Sequence, residues 1–138
     1  MSVTPKEILE TAKRLLNNPT SESDMRSAAS RAYYAALHAT DRAIPNTFAG
    51  NDKTAAPGSS HDAIICKADR LSKMGTQGRT EAAQLFAILP TIKKIRKMAD
   101  YQLDANSESK TYSHAVSQAE KALSLCGDLA RKLNTSAP

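Results

Sequence analysis

The sequence predicts an all-α protein, an up-and-down bundle of four or five helices forming a single domain over residues 1–138. Apolar residues recur along most of the chain at intervals of three and four, the spacing of a buried helix face. No stretch alternates apolar and polar residues with the β-branched character of a strand. Aromatic residues make up only 4% of the chain and tryptophan is absent, so we expect a core of Leu, Ile and Ala.

The length of 138 residues allows one substantial core and is too short for two. We place this core at about residues 4–133, interrupted by a long loop over about 46–60 and followed by a polar tail over 134–138. Loops of that length in a compact domain are usually mobile or functional.

The first helix has a well-marked start. Thr4 is a suitable N-cap, Pro5 favours the first helical position, and Glu7 is placed to complete a capping box. Residues 17–19, Asn-Asn-Pro, predict its end. Its apolar face is expected to contain Ile8, Leu9, Ala12, Leu15 and Leu16.

The second helix is predicted from residues 20–24 to about Ile44, where Pro45 stops it. Five of its alanines fall within a sector of about 80° when each residue turns by roughly 100°. This strip lets another helix approach closely, either within the chain or in a second copy. The alanines are Ala28, Ala32, Ala35, Ala39 and Ala43.

His61 lies at the expected N-terminus of the third helix. Backbone amides at that position can hold a phosphate, but a solvated capping histidine is the simpler interpretation. Gly75 and Gly78 then bracket a turn.

The fourth helix is predicted from Thr80 to Tyr101, with a kink near Ala87 caused by Pro90. It carries the most basic segment of the chain, which is either solvated surface or a contact for nucleic acid. A polar turn at 106–109 precedes the last helix, at about residues 110–133. The basic residues are Lys93, Lys94, Arg96 and Lys97.

The net charge of +5 and the pI near 9.3 favour a polyanionic partner. Cys66 and Cys126 lack metal-site spacing and are expected to be buried free thiols. No signal peptide pattern or membrane-length apolar run is present, so we expect a cytoplasmic protein without a membrane partner.

Arg31 and His38 form the candidate site on the second helix. They lie on one face, on the order of 10 Å apart along the axis, and their side chains can converge on a shared anion. Arg42 continues the same edge, with Tyr34 just beyond it. The sequence contains no phosphate-binding glycine loop, no zinc spacing and no acidic metal set, so no metal or cofactor is expected.

Three segments of the chain resemble the HEPN family, the higher eukaryotes and prokaryotes nucleotide-binding domain. Residues 30–39, Ser-Arg-Ala-Tyr-Tyr-Ala-Ala-Leu-His-Ala, are similar to the second-helix motif of that family. Residues 95–101, Ile-Arg-Lys-Met-Ala-Asp-Tyr, resemble the end of its fourth helix, and residues 59–61, Ser-Ser-His, the segment before its third. The likeness extends over about residues 4–133.

The resemblance implies a helical bundle that usually forms a homodimer and often acts as a metal-independent endoribonuclease in toxin–antitoxin or phage-defence systems. Arg31 and His38 then become the catalytic pair. His38 would serve as a general acid or base on RNA, and Arg31 would stabilise charge on the phosphate. The residues assigned to substrate or nucleotide binding are Tyr34, Arg42, Lys93, Arg96, Lys97 and Tyr101.

Two alternatives remain open at the level of sequence. Some HEPN proteins lack nuclease activity and bind nucleotides or act as the partner of a minimal nucleotidyltransferase antitoxin, in which case Tyr101 is a candidate for modification. In the second alternative, the chain is a helical adaptor that neither cleaves RNA nor binds a nucleotide. In a purely structural interpretation, Arg31 pairs with Asp100 and His38 is a satisfied interior histidine.

Overall fold

The computed structural model describes residues 2–49, 60–104 and 109–138, and these residues contain helices and no strand. The all-α bundle predicted from the sequence is therefore confirmed. The polar turn at 106–109 and most of the 46–60 loop lie outside the described residues. The helices are α1 (Pro5–Asn17), α2 (Glu22–Ala43), α3 (Ser60–Met74), α4 (Arg79–Tyr101) and α5 (Ser109–Leu133), with a 3₁₀ turn at Asn46–Phe48.

The first two helices begin where the sequence predicts, with Thr4 and Ser21 as their N-caps. The Thr4 hydroxyl accepts from the Glu7 backbone N–H at 3.1 Å, and a Glu7 carboxylate oxygen accepts from the Thr4 N–H at 2.8 Å. This reciprocal pair satisfies two backbone donors that the first turn of a helix leaves free. Ser21 caps α2 by accepting from the Asp24 N–H at 3.3 Å.

Helix α2 is the centre of the bundle, because it packs against each of the other four helices. All five alanines of its strip are completely buried, and the neighbours that cover most of the helix are α1 and α5. The strip therefore packs within one chain, and it is not a surface through which two copies could associate.

Arg26 fastens the end of α4 to α2. Its guanidinium donates to the carbonyl oxygens of Met98, Ala99, Gln102 and Leu103 at 3.0–3.3 Å. The last carbonyls of a helix have no partner within the helix and carry the negative end of its dipole. A nearly buried cation at this position satisfies both requirements and fixes the final turn of α4.

Lys67 of α3 is a second buried cation. Its ammonium donates to the Asp41 carbonyl at 3.1 Å, to the Asp41 carboxylate at 2.9 Å and to the Asn46 side-chain oxygen at 3.0 Å. All three of its N–H donors are thereby used. The side chain joins α3 to the end of α2 and to the turn that follows it.

Helix α4 runs from Arg79 through Pro90 to Tyr101, and Gly78 is its N-cap. Gly78 has a φ of 77°, in the left-handed region that favours glycine. The expectation that both thiols are buried was half wrong: Cys126 is buried, but Cys66 lies on the exposed side of α3. At roughly 100° per residue, Cys66 lies about 160° from the centre of the buried face formed by Ile65, Ala68 and Leu71, and therefore points to solvent.

Candidate functional site

Three aromatic rings surround the guanidinium of Arg96. Its central carbon lies 5.2 Å from the ring centroid of Tyr34, 5.4 Å from that of Tyr101 and 6.0 Å from that of Tyr33. The same side chain donates to the Tyr34 hydroxyl at 2.7 Å. Tyrosine faces attract a cation within about 6 Å. We call these four residues and His61, which contacts Tyr33 and Tyr34, the aromatic–arginine cluster.

Asp100 holds Arg96 in place. Its carboxylate lies 2.9 Å from the Arg96 Nε, one helical turn away on α4, and also accepts from the Ser30 hydroxyl at 3.2 Å. Only 12% of the Arg96 side chain is exposed. Arg96 is therefore a largely buried organiser of the cluster, and for this residue the alternative of solvated surface does not hold.

His61 joins the cluster from the first turn of α3. Its Nδ1 lies 3.2 Å from the Tyr33 hydroxyl, and its ring centroid is 5.6 Å from the centroids of both Tyr33 and Tyr34. Burial lowers the pKa of His61 from its ordinary value of 6.5, and the positive charges of Arg96 and Lys93 lower it further. The imidazole is accordingly neutral at pH 7.

The Tyr33 hydroxyl determines which nitrogen of that neutral ring carries the proton. Burial raises the pKa of Tyr33 to about 12, so the phenol keeps its proton. Within the described residues, His61 Nδ1 is the acceptor available to this buried O–H. When the Tyr33 O–H donates to Nδ1, the proton of the neutral imidazole sits on Nε2, directed away from Tyr33.

His38 and Arg31 lie at the exposed edge of this cluster. The His38 ring stacks on Tyr34, with centroids 6.3 Å apart and ring planes inclined by 23°. Its side chain is exposed, which excludes the alternative of an interior histidine. Arg31 is exposed too, and Asp100 pairs with Arg96 rather than with Arg31 as the structural interpretation proposed.

Of the remaining candidate residues, Lys93 has an ion-pair partner, whereas Tyr101, Lys97 and Arg42 are exposed. Tyr101 is 71% exposed and Lys93 pairs with Asp62, next to His61 in the sequence. The hydrogen bond from Lys93 lowers the pKa of the Asp62 carboxyl, which stays ionised. Lys97 and Arg42 are exposed, and Arg42 has no hydrogen bond or ion pair with any residue that the structure describes.

Sequence reasoning therefore found Tyr34, Arg96 and Tyr101 but left Tyr33 in the core and His61 in solvent. Tyr33 belongs both to the core and to the cluster, since its ring is fully buried while its hydroxyl reaches His61. The two adjacent tyrosines were the signal in the sequence that could have indicated this. Consecutive residues of a helix point in directions roughly 100° apart, so one ring can enter the core while the other lies at its edge.

Comparison of the chain with protein-family models, with curated proteins and with solved structures finds no match. In the described ranges 2–49, 60–104 and 109–138, no three His, Cys, Asp or Glu side chains are grouped so that they could hold a metal ion. No helix among these residues is both long enough and apolar enough to cross a membrane.

Proposed function

We propose that this chain is a HEPN-type, metal-independent endoribonuclease. One observation carries the proposal: the three segments that resemble the HEPN family meet at one place. Tyr34 and His38 of α2, His61 of α3 and Arg96 of α4 are far apart in the sequence and in contact through the Tyr34 ring. Two imidazoles beside a fixed positive charge are groups that phosphodiester cleavage uses.

The chemistry assigns a separate role to each polar group. His38 removes the proton of the RNA 2′-hydroxyl, whose oxygen attacks the adjacent phosphorus and forms a bond to it. The bond from phosphorus to the 5′-oxygen breaks, and that oxygen takes the proton back from the His38 imidazolium. The products are a 2′,3′-cyclic phosphate and a 5′-hydroxyl, so neither a metal nor water is consumed.

Two further groups stabilise the phosphate during this step. The His61 Nε2–H is a neutral donor that Tyr33 keeps in the required tautomer, and it is directed toward a non-bridging oxygen. Arg31, which has no hydrogen bond or ion pair with the described residues, supplies positive charge from the exposed edge of α2. Arg96 acts indirectly: its ion pair with Asp100 holds the guanidinium in place, and its positive charge adds to burial in lowering the pKa of His61.

A second candidate function is binding of a nucleotide without cleavage, in partnership with a minimal nucleotidyltransferase antitoxin. The separation of Arg31 from His38 favours it, since two turns of helix, roughly 10 Å, lie between their Cα atoms. Tyr101 would then be the exposed hydroxyl that a partner reaches. In either case a homodimer would have to use a surface other than the buried alanine strip.

The deciding experiment incubates the protein with total RNA in EDTA. His38→Ala is compared with His114→Ala, which removes an exposed histidine of α5 that contacts no member of the cluster. We expect His38→Ala to lose about 10²-fold or more in rate, whereas wild type and His114→Ala leave 2′,3′-cyclic ends. Equal rates in the two variants would remove His38 from the mechanism.

A preparation in which even the wild type leaves RNA intact would overturn the nuclease proposal. ATP would then be titrated against the melting temperature. A rise that saturates with ligand supports nucleotide binding, because a ligand that binds only the folded state stabilises it.

A further inference from the structure

A groove of about 610 Å³ runs beside α4, next to the aromatic–arginine cluster. Its floor is aliphatic and consists of side chains from α3 and α4, including Ile65, Ile95 and Met98. Three lysines, Lys93, Lys94 and Lys97, line the same groove. Its volume lies in the range of about 300–1,000 Å³ that is usual for small-ligand pockets.

The charge of the groove is positive and only partly compensated. Asp62 pairs with Lys93 and, among the residues that the structure describes, is the one acidic residue that lines the groove. Lys94 and Lys97 are exposed and form no ion pair with a residue that the structure describes. The uncompensated charge therefore lies along α4, where it attracts an anion.

The spacing of these charges suits a chain of phosphates. Lys94 and Lys97, which form no ion pair with a described residue, are three residues apart, so their Cβ atoms are roughly 5–6 Å from each other on the helix surface. Adjacent phosphates of an extended single strand have a similar spacing. A nucleic acid strand carries one phosphate at each nucleotide and can therefore use several of these cations.

The aliphatic floor distinguishes a single strand from a duplex. In a duplex the bases are stacked and paired, so the surface that meets a shallow groove is mainly phosphate and sugar. An unpaired nucleotide can turn its base onto the floor while its phosphate meets the lysines. Gln102 and Thr111, which also line the groove, offer polar groups to the edge of such a base.

The groove lies next to the site of the proposed reaction, because the charge of Lys93, which lines the groove, acts on His61 of the cluster. Asp62 follows His61 directly on α3, and Lys93 lies one helical turn before Arg96 on α4. We infer that the groove is a subsite for an unpaired nucleotide adjoining the phosphate that is cleaved, so that the substrate is single-stranded RNA. This inference rests on the proposed function and adds the place where the neighbouring nucleotide binds.

The test measures binding of a 12-nucleotide single-stranded RNA by fluorescence anisotropy. The oligonucleotide carries 2′-O-methyl groups, which block the attacking oxygen and prevent cleavage by the wild-type protein. The same sequence as a duplex, and an abasic oligomer with the same number of phosphates, serve as probes for the contribution of the bases. We expect the single strand to bind at least tenfold more tightly than either.

Charge variants then locate the binding surface. The double change Lys94→Glu and Lys97→Glu is expected to weaken binding at least tenfold. A control with Lys6→Glu and Lys121→Glu makes the same change of net charge at exposed positions on α1 and α5, and it should weaken binding less than threefold. Asp62→Asn frees Lys93 and should tighten binding severalfold.

Three results would overturn the inference. They are equal affinity for the abasic oligomer, equal affinity for the duplex, and equal loss of affinity in the two double variants. Cleavage of an unmodified dinucleotide tests the proposed function separately from this inference. A dinucleotide is short enough that its cleavage requires the cluster and not the groove. If the groove variants cleave the dinucleotide normally while RNA binding is unchanged, only the groove assignment fails.

Discussion

Replacement of Arg26 by methionine tests whether the end of α4 depends on a buried cation. The change keeps a long apolar side chain between α2 and α4 and removes the guanidinium. Ala99 is buried, so water cannot replace the hydrogen bond that its carbonyl accepts from Arg26. Gln102 and Leu103 are exposed, so water can reach their carbonyls when the guanidinium is removed.

The magnitude follows from counting the bonds that water cannot replace. One to two charge-assisted hydrogen bonds at about 1.5–3 kcal/mol each, with up to about 1 kcal/mol from the helix dipole, suggest a loss of about 3 kcal/mol. At about 2.1 cal/mol/K per residue of unfolding entropy, this loss lowers the melting temperature of a 138-residue chain by about 10 °C.

The assay is thermal unfolding followed by circular dichroism, with Arg31→Met as the matched control. Arg31 is on the same helix, but it is exposed and forms no hydrogen bond or ion pair with the described residues, so its loss should shift the melting temperature by less than about 2 °C. Equal melting temperatures for the Arg26 and Arg31 variants would refute the reasoning. Amide exchange in the last turn of α4 should rise in the Arg26 variant alone.

Three other predictions follow from single features. Gly78→Ala should lower the free energy of unfolding by about 1–3 kcal/mol because its φ is 77°, whereas Gly127→Ala, with nothing within 4 Å of the added Cβ, should raise it by about 0.5–1 kcal/mol; chemical denaturation measures both, and equal signs would contradict the argument. Arg96→Gln should raise the pKa of His61 in an NMR titration, because a nearby positive charge is lost. Since the lowered pKa means that the unfolded chain binds more protons just below pH 6.5, wild-type stability should fall as the pH drops through that region, and a His61 titration unchanged by Arg96→Gln would rule out this coupling. The exposed thiol of Cys66 should react with a thiol reagent in the native protein, whereas the buried thiol should react only after unfolding.

Local patterns predicted the helices well because their causes are local. The Thr4 and Glu7 capping box lies within four residues, and the strip of α2 follows from alanine spacing alone. The bundle could therefore be predicted without knowing how the helices are arranged.

The candidate site was predicted less completely because it depends on which helices become neighbours. Arg96 has the same charge as the lysines around it, and only the approach of α2 makes it an inside residue. His61 begins α3 and would be solvated if Tyr33 were not opposite it. The spacing of Arg31 and His38 showed that they share an edge, but not that the aromatic–arginine cluster lies behind that edge.

The saturated ammonium of Lys67 has a consequence for changes in chain length. It fixes the turn at Asn46 directly to α3, so the position of α3 does not depend on the chain that connects them through residues 50–59. Lengthening that connection adds closure entropy, only about 0.6 kcal/mol for each doubling of loop length. The contacts of Lys67 should therefore keep α3 against the end of α2 when the connection between these helices is lengthened.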